Sequence, residues 1–303
     1  MRARSYTHKG HWVDGRQRER QLRRRFLAPL TILLLLTTVL PFVYVVWLSL
    51  TDTSPLLRHS GFVGLSNFGT LITSGSVWSA VLVTIEFAVG SIILSVGIGA
   101  IVAVALSRVR KGRTVIRSIL IVPLALAPVA VMYDWQIMLN PTLGVTNYIL
   151  NLVGLPQPDW LATGHLALVT LVMIEVWEWT PLSIILVAGG LAALPRSVLE
   201  AAATDGATAL KTFWYVTAPL LKPQLVLAVL FTGIVALGNL TSVVILTSGG
   251  PGGATTSIAY LAYTQSFEDL RFGFGAAVAV ISIVVVLVLA RILLMALKEV
   301  EGG

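Results

Sequence analysis

Residues 194–223, LPRSVLEAAATDGATALKTFWYVTAPLLKP, are the longest stretch with polar side chains in the second half of a very apolar chain. Ser197 followed by Glu200 has the spacing of a capping box, which starts a helix. Gly206 then divides this first helix from a second one. One face of the first helix carries small or short residues at helical spacing: Leu199, Ala202, Ala203 and Gly206. That face would let a partner approach closely.

The second helix is expected to be capped by Thr208 and to end at Pro219 and Pro223. Long apolar runs flank the stretch on both sides. The sequence therefore predicts a helical hairpin between two membrane spans. Such a hairpin either docks a partner or packs on its own protein.

The composition is that of a helical membrane protein. The chain has 303 residues, of which 56% are hydrophobic and 12% charged, and its mean hydropathy is +0.88. The absence of cysteine excludes disulfides and thiolate metal sites. The sequence has no His/Asp/Glu cluster at metal-ligand spacing. The net charge of +7 does not indicate nucleic acid as a partner, because the basic residues adjoin apolar runs, as topology signals do.

Six apolar segments are long enough to span a bilayer, so we expect an all-α membrane protein with six transmembrane helices. The third segment contains Pro123 and Pro128, which should bend it or unwind it locally. The first is too long for a cleaved signal. The predicted spans cover residues 26–50, 78–106, 116–139, 166–191, 225–246 and 274–297. A basic arm over residues 1–25 precedes them and a tail over 298–303 follows.

The distribution of Lys and Arg predicts the orientation. An even number of spans puts both termini on one side. That side, with the loop between spans two and three and the 194–223 loop, holds 19 of these residues, and the other side holds Arg58 and Arg271. Cytoplasmic loops carry the excess of positive charge. Both termini and the 194–223 loop are therefore expected to be cytoplasmic.

Three glutamates lie inside predicted spans, where an ionisable group costs about 2.5–3.5 kcal/mol at the bilayer centre. They are Glu86, Glu175 and Glu178, and the last two share a helix face. Carboxylates accept hydrogen bonds from sugar hydroxyls, and the neighbouring Trp177 and Trp179 rings could stack on a sugar. The glutamates either line a substrate path or hydrogen-bond helices to one another. If Glu175 or Glu178 lies near the outer mouth of the substrate path, the free-energy cost of placing it in the membrane is small.

Further substrate-path candidates lie around the fifth span. Polar Asn239, Thr241 and Ser242 are in its second half, although an Asn in a span often bonds another helix. Tyr263 follows a glycine-rich turn, in a position where aromatic residues commonly form an interfacial belt. No Lys, Arg or His lies in the middle of a predicted span. An anionic substrate would lack a counter-charge in this chain, so an uncharged sugar or polyol is favoured unless a partner subunit supplies the charge.

The 194–223 stretch resembles the cytoplasmic loop of permease subunits of carbohydrate-type ATP-binding-cassette (ABC) importers, of the maltose/glycerol-phosphate permease family. That family carries Glu-Ala-Ala, three residues, Gly, nine residues, then Ile-x-Leu-Pro. Here Ala218 replaces the usual Leu, which weakens the apolar anchor of the second helix. The spacing is otherwise intact at Glu200, Ala201, Ala202, Gly206, Val216 and Pro219.

Other segments are similar to the family too. They are residues 62–68 before the second span, the loop with Asn140, Pro141, Gly144, Asn147 and Trp160, and the turn at residues 247–253. The resemblance implies a type I ABC importer permease fold and a substrate path near Asn239. It also implies that the 194–223 loop docks into an ATPase subunit. The docking residues would be Glu200, Ala201, Ala202, Asp205, Gly206, Ala207 and Pro219.

The resemblance also implies partners: a second permease, two ABC ATPase subunits that bind ATP and Mg, an extracytoplasmic solute-binding protein and a sugar. The chain would lie in the cytoplasmic membrane of a prokaryote. It has no Gly-x-x-x-x-Gly-Lys-Ser/Thr loop, so it is not expected to be an enzyme or to hold a cofactor. A proton-coupled carrier that uses Glu86, Glu175 and Glu178 is the alternative. Such carriers usually have two related halves, and no clear internal repeat is present.

Overall fold

The computed structural model describes residues 27–57, 61–109 and 111–301. Within these ranges the chain is helical, and its only extended pairing is an isolated bridge between Thr51 and Phe62. The predicted arm over residues 1–25 lies outside the described residues, as do Arg58 and Arg110. The side chains of Glu200 and Lys298 lie outside them as well.

Twelve helices are named here in chain order for the described residues. Four of them are long and apolar enough to cross a membrane: Leu27–Ser49, Gly75–Arg108, Gly164–Ala193 and the Phe272–Ile292 part of the last helix. Two bent helix pairs raise the number of candidate spans to six. The helices are α1 Leu27–Ser49, α2 Ser66–Thr73, α3 Gly75–Arg108, α4 Arg113–Ile121, α5 Pro128–Met138, α6 Val145–Leu152, α7 Gly164–Ala193, α8 Arg196–Thr204, α9 Ala209–Thr212, α10 Lys222–Leu237, α11 Ile258–Tyr263 and α12 Phe272–Glu301.

The bend predicted in the third span is confirmed. A 3₁₀ turn, Val122–Ala125, extends α4, and the helix axis then turns by 96° into α5. Pro123 lies in the first turn of the 3₁₀ segment, and Pro128 lies in the first turn of α5. A proline in a first turn removes no hydrogen bond from the helix, because the N–H groups there have no partner within it. The two prolines therefore end one helix and start the next.

The first span shows a smaller effect of proline. Pro41 cannot donate to the carbonyl of residue 37, and α1 is π-helical over Leu35–Val39, which ends two residues before Pro41. The helix nevertheless continues to Ser49, so the predicted uncleaved span is one helix with a local widening.

The fifth predicted span, residues 225–246, is not one continuous helix. Helix α10 ends at Leu237, and an irregular break at residues 238–240 separates it from a π-helical turn, Val243–Thr247. At the other end of α10, the axis turns by 68° from the preceding helical segment, Phe213–Leu220. Irregular backbone at membrane depth is tolerated where it is buried in protein or lines a cavity.

Helices α3 and α7 form the centre of the bundle and run parallel. Gly90 of α3 faces Val172 of α7, and Gly99 allows the closest approach, because a Cβ at Gly99 would come within 2.5 Å of the Cβ of Ser183. Since both residue numbers increase along the contact, Arg108 and Ala193 lie at the same end of the bundle. The basic loop after α3 and the 194–223 hairpin therefore share one end.

Loops tie the helices together at the opposite end. The Asn67 amide donates to the carbonyls of Ser49 (2.9 Å) and Thr51 (2.8 Å), at the end of α1. Gly273, at the start of α12, donates to the carbonyl of Thr53 at 3.0 Å. The end of α1 and the start of α12 thus meet, so α1 and α12 run in opposite directions.

The hairpin has the predicted two helices, but its boundaries differ from those expected. Helix α8 begins at Arg196, so Ser197 is its second residue and not its N-cap. Thr208 does cap the second helix, because its Oγ1 accepts from the Lys211 N–H at 3.4 Å. Pro219 does not end that helix, which continues as a π turn and then as Ala218–Leu220. Pro219 lies in the first turn of this last piece, where proline is compatible with a helix.

Gly206 joins the two helices in a left-handed conformation, with φ of 72°. The N–H of Ala207 donates to the carbonyl of Ala202 at 3.1 Å, which is the six-to-one bond of a Schellman C-cap. The divide that the sequence predicted at Gly206 is confirmed. Its physical cause is the positive φ, since nothing lies within 4 Å of where a Cβ would be.

Candidate functional site

A hydrogen-bonded network joins α7 to the break after α10. Glu175 is 1% exposed, and its Oε2 accepts from Nδ2 of Asn239 at 2.5 Å. The Oδ1 of Asn239 accepts from the Ser242 hydroxyl at 2.7 Å and from the Ser242 N–H at 3.3 Å. The bond from the Ser242 N–H is of the N-cap type, because the acceptor, Asn239, precedes the donor by three residues where the helix restarts. Asn239 therefore fixes the restart of the helix with one end of its amide and holds Glu175 with the other.

A cavity of about 190 Å³ opens at this break. Its walls come from α5, from the middle of α7 and from the irregular segment after α10. No Lys, Arg or His is among the residues that line it, which are Pro128, Met132, Glu175, Glu178, Trp179, Val235, Gly238, Asn239, Leu240, Thr241 and Ser242. The structure thus brings five of the predicted substrate-path residues to one cavity: Glu175, Glu178, Asn239, Thr241 and Ser242.

Hydrogen-bond acceptors at this cavity remain available. Oε1 of Glu175 is buried and has no hydrogen-bond partner among the described residues. Glu178 lies one helical turn further on, is 4% exposed and lines the same cavity. Buried polar groups are normally paired, so the unpaired Glu175 oxygen is available to a molecule bound in the cavity. The site can therefore accept hydrogen bonds from a hydroxylated molecule, with the Trp179 ring as an apolar wall.

The other three predicted substrate-path residues lie elsewhere. Glu86 is exposed on α3 and does not line the cavity. Trp177 lines a separate apolar groove and packs edge-on against Trp135, with ring centroids 5.7 Å apart. Tyr263 stacks on Tyr260 at 6.3 Å and packs against the core cluster around the α7 helix. Their predicted roles remain predictions.

Sequence reasoning missed the α5 contribution and the glycine at the break. Pro128 and Met132 line the cavity because the 96° bend directs α5 across the bundle. Gly238 precedes Asn239, and a glycine followed by a helix-capping Asn was a signal for a helix break inside the apolar run. The high hydropathy of the whole apolar run predicted a single span and outweighed this signal.

The predicted outer loop forms a compact hydrogen-bonded cluster beside the start of α7. Asn147 is buried; its Nδ2 donates to the carbonyls of Pro141 and Pro158, each at 3.2 Å, and its Oδ1 accepts from Nε1 of Trp160 at 2.8 Å. The Thr170 hydroxyl donates to the Trp160 carbonyl at 3.2 Å. This arrangement gives the loop residues a structural role that fixes the loop on α7.

In the hairpin, the predicted docking residues are mostly on the surface. Ala201, Asp205, Gly206 and Pro219 are exposed, and Ala207 is partly buried. Ala202 is 8% exposed and faces the protein itself. No group of three or more His, Asp or Glu that could hold a metal ion occurs in residues 27–57, 61–109 and 111–301.

Comparison with known proteins identifies the family. Residues 95–299 match the family model described as binding-protein-dependent transport system inner membrane component. The chain is 34% identical to the trehalose/maltose transport system permease protein MalF of Thermococcus litoralis, over 89% of this chain and 91% of that protein. It is 31% identical to the sn-glycerol-3-phosphate transport system permease protein UgpA of Rhizobium meliloti, over 86% of this chain and 89% of that one.

The fold is also that of a solved transporter. A chain of a bacterial alginate ABC transporter, crystallised with an alginate pentasaccharide-bound periplasmic protein, superposes with a TM-score of 0.80 at 19% identity, over 93% of this chain and 95% of that chain. This likeness confirms the predicted permease fold with up to six spans. Because the family model covers most of the chain and relatives exceed 30% identity over nearly all of it, the chain belongs to the family of inner membrane components of binding-protein-dependent transport systems, as the Glu200–Pro219 motif led us to expect.

Proposed function

We propose that this chain is one membrane-spanning subunit of an ABC importer for an uncharged mono- or oligosaccharide or a polyol. The observation that carries the substrate class is the cavity at the α10 break. It combines two buried carboxyl groups, an amide, two hydroxyls and a tryptophan ring, and its lining includes no basic side chain.

The chemistry of these groups suits a neutral sugar. Carboxyl oxygens of Glu175 and Glu178 accept hydrogen bonds from hydroxyl groups, and Thr241 can donate or accept. A phosphate would face the two carboxyl groups without a cation, which is costly in a buried site. This supports a sugar of the kind named for the trehalose/maltose relative over the phosphate named for UgpA.

Transport would proceed by alternating access. An extracytoplasmic solute-binding protein delivers the sugar at the end of the bundle that carries the outer loop. Two ATPase subunits, which hold ATP and Mg, close on ATP binding and move the 194–223 hairpin. A second permease completes the pore as a heterodimer. This chain itself catalyses no reaction.

The charge distribution supports the proposed placement in the cell. The chain lies in the cytoplasmic membrane of a prokaryote with both termini inside. Its organisation is a basic arm over residues 1–25, a permease domain over 26–297 and a short tail over 298–303. The shared end of the basic loop and the hairpin supports this orientation, because α3 and α7 run parallel.

The test is reconstitution of the chain with its co-purified partners, followed by ATPase assays with the loaded binding protein. Trehalose or maltose should stimulate ATP hydrolysis and be taken up, and sn-glycerol-3-phosphate should do neither. Stimulation by the phosphate alone would overturn the substrate class. A chain that purifies alone and drives proton-coupled uptake in liposomes would overturn the importer, although nothing in the comparisons supports that carrier.

A further inference from the structure

Two large aromatic side chains lie exposed on the second helix of the 194–223 hairpin. Trp214 is 61% exposed and Tyr215 is 80% exposed, and both belong to the π turn Phe213–Thr217. The other side of the same segment packs on the bundle, where Thr217 and Leu221 are buried. Adjacent exposed rings make a larger apolar patch than scattered single residues, and such patches mark interaction sites. The aromatic pair, Trp214 and Tyr215, is therefore a surface that this chain does not itself cover.

The segment ends at the level where the spanning helices leave the membrane. Leu221 packs in one buried cluster with Leu106 of α3 and Val187 of α7. Arg108, two residues after Leu106, ends α3, and Lys222 begins α10 directly after Leu221. Lys and Arg near the ends of spans reach the membrane interface. Two separate elements thus place Leu221 beside the boundary of the hydrocarbon core.

The inclination of the segment keeps the aromatic pair near that boundary. The axis of Phe213–Leu220 is bent by 68° from that of α10. Seven residues at 1.5 Å each separate Tyr215 from Lys222, so Tyr215 lies only about 4 Å beyond the start of α10 along the α10 axis. A mean helix tilt of about 20° keeps this depth between about 0 and 7 Å. The headgroup region on each side of a bilayer is about 5–7 Å thick, so the pair lies within it.

We propose that Trp214 and Tyr215 bind the headgroup region of the cytoplasmic leaflet and anchor the second helix of the hairpin to the membrane surface. Trp and Tyr are enriched at this depth, because each combines an apolar ring with a polar N–H or O–H group. Lys211, exposed one turn before Tyr215, adds a positive charge that suits anionic headgroups. An ATPase is less favoured as the occupant, since the predicted docking residues Asp205 and Gly206 lie in the turn, farther along the chain from α10.

The two helices of the hairpin then have different freedom to move. The second helix is held by the bundle at Leu221 and by the bilayer at the aromatic pair. The turn at Gly206, between these contacts and α8, remains free to follow an ATPase. The anchor rests on the proposed cytoplasmic placement of the hairpin, but it does not depend on which sugar is transported.

The experiment uses the whole complex, with partner subunits that carry no cysteine, reconstituted into nanodiscs. This chain has no cysteine, so Tyr215→Cys introduces a single thiol for a fluorescent label. Quenching is measured with a phospholipid that carries a nitroxide on its headgroup and with iodide in the water. The headgroup nitroxide should quench the label strongly and iodide should quench it weakly. The reverse pattern would place this position in water and would overturn the proposal.

Matched variants test the position and the ring separately. Asp205→Cys places the label in the exposed turn between the hairpin helices, where iodide should be the stronger quencher. Adding Trp214→Gln to the Tyr215→Cys chain should lower quenching by the headgroup nitroxide and raise quenching by iodide. Adding Trp214→Phe, which keeps a ring, should leave both nearly unchanged. Equal quenching in the Gln and Phe variants would overturn the role of the ring as an anchor.

A second measurement tests for a protein occupant. A cross-link from the Tyr215→Cys thiol to an ATPase subunit or a second permease would show that a protein covers the pair, and it would overturn the proposal. Failure of the importer is distinguishable from failure of the anchor. ATP-driven uptake with the label in water overturns the anchor alone. Headgroup quenching in a chain that purifies without an ATPase overturns the importer alone.

Discussion

The Asn239 amide donates to the Glu175 carboxyl at 2.5 Å across 64 positions of sequence. Glu175 lies in the middle of α7, which leads into the hairpin. Asn239 lies in the break at residues 238–240, the only interruption of helical structure within residues 222–247, which follow the hairpin. The two elements that flank the 194–223 hairpin are thus joined again at the cavity.

Removing the amide should therefore destabilise the site. Asn239→Leu leaves Oε2 of Glu175 without its donor, at a cost of about 1–3 kcal/mol, and it removes the cap of the next turn. We expect a lower midpoint of thermal unfolding in detergent and loss of sugar uptake. Glu175→Gln keeps an acceptor for Asn239 and should be milder. The double variant Glu175→Leu/Asn239→Leu also removes the carboxyl that lost its donor, so part of the lost stability should return, while the loss of the Ser242 acceptor remains. Strictly additive losses would contradict the coupling.

Glu178 should act on the substrate directly. It lines the cavity and has no hydrogen bond to a described residue, so its carboxyl is free to accept from a sugar hydroxyl. Glu178→Gln replaces one of the two carboxyl oxygens by an amide NH₂ and should raise the sugar concentration for half-maximal ATPase stimulation by about tenfold. Glu86→Gln is the control, because Glu86 is exposed outside the cavity. Equal effects of the two substitutions would remove Glu178 from the substrate path.

At Gly206, two substitutions separate docking from turn geometry. Valine at φ of 72° is strained by about 1–2 kcal/mol, whereas Asn tolerates this conformation. Both side chains would project into open space in this chain. If the hairpin fits an ATPase groove, Gly206→Asn should lower coupled ATPase activity and uptake although the subunit stays in the membrane. Wild-type coupling in Gly206→Asn would mean that Gly206 serves only the turn.

The contact between α3 and α7 should be intolerant of added volume at one glycine only. A methyl group at Gly99 would come within 2.5 Å of the Ser183 Cβ, so Gly99→Ala forces the helices apart at a cost of about 1–3 kcal/mol. Gly97, two residues earlier on the same helix, has nothing within 4 Å. Gly97→Ala should be neutral or stabilising, since Ala is the better helix former. Thermal midpoints in detergent compare the two, and a similar fall in both would contradict the close contact.

Hydropathy and proline were enough to predict much of the fold. The apolar runs located the spanning helices, and Pro123 and Pro128 located the bend in the third one. Helix ends were less accurate. Ser197 has the sequence of a cap, which predicts a helix that begins at residue 198, but α8 begins two residues earlier, at Arg196, directly after Pro195.

The candidate site was only partly predictable. Intramembrane Glu175, Glu178 and Asn239 stand out because polar groups in a span are costly. Their meeting at one cavity could not be read from the chain, because it depends on the helix break at Gly238 and on the long-range bond of Asn239. Local periodicity contains no information on contacts 64 positions apart.

Helix α7 has a mechanical property that follows from its length. Its 30 residues make a rod of about 45 Å that runs through Pro181 without a break. One tip leads into the 194–223 hairpin, and at the other tip Gly164 contacts Ala254, directly after the glycine-rich turn. Glu178 lies near the middle. When such a rod rocks, its tips swing in opposite directions while its centre hardly moves. A pull on the hairpin would therefore shift the far mouth of the pore and leave the sugar's contacts near the fulcrum almost at rest.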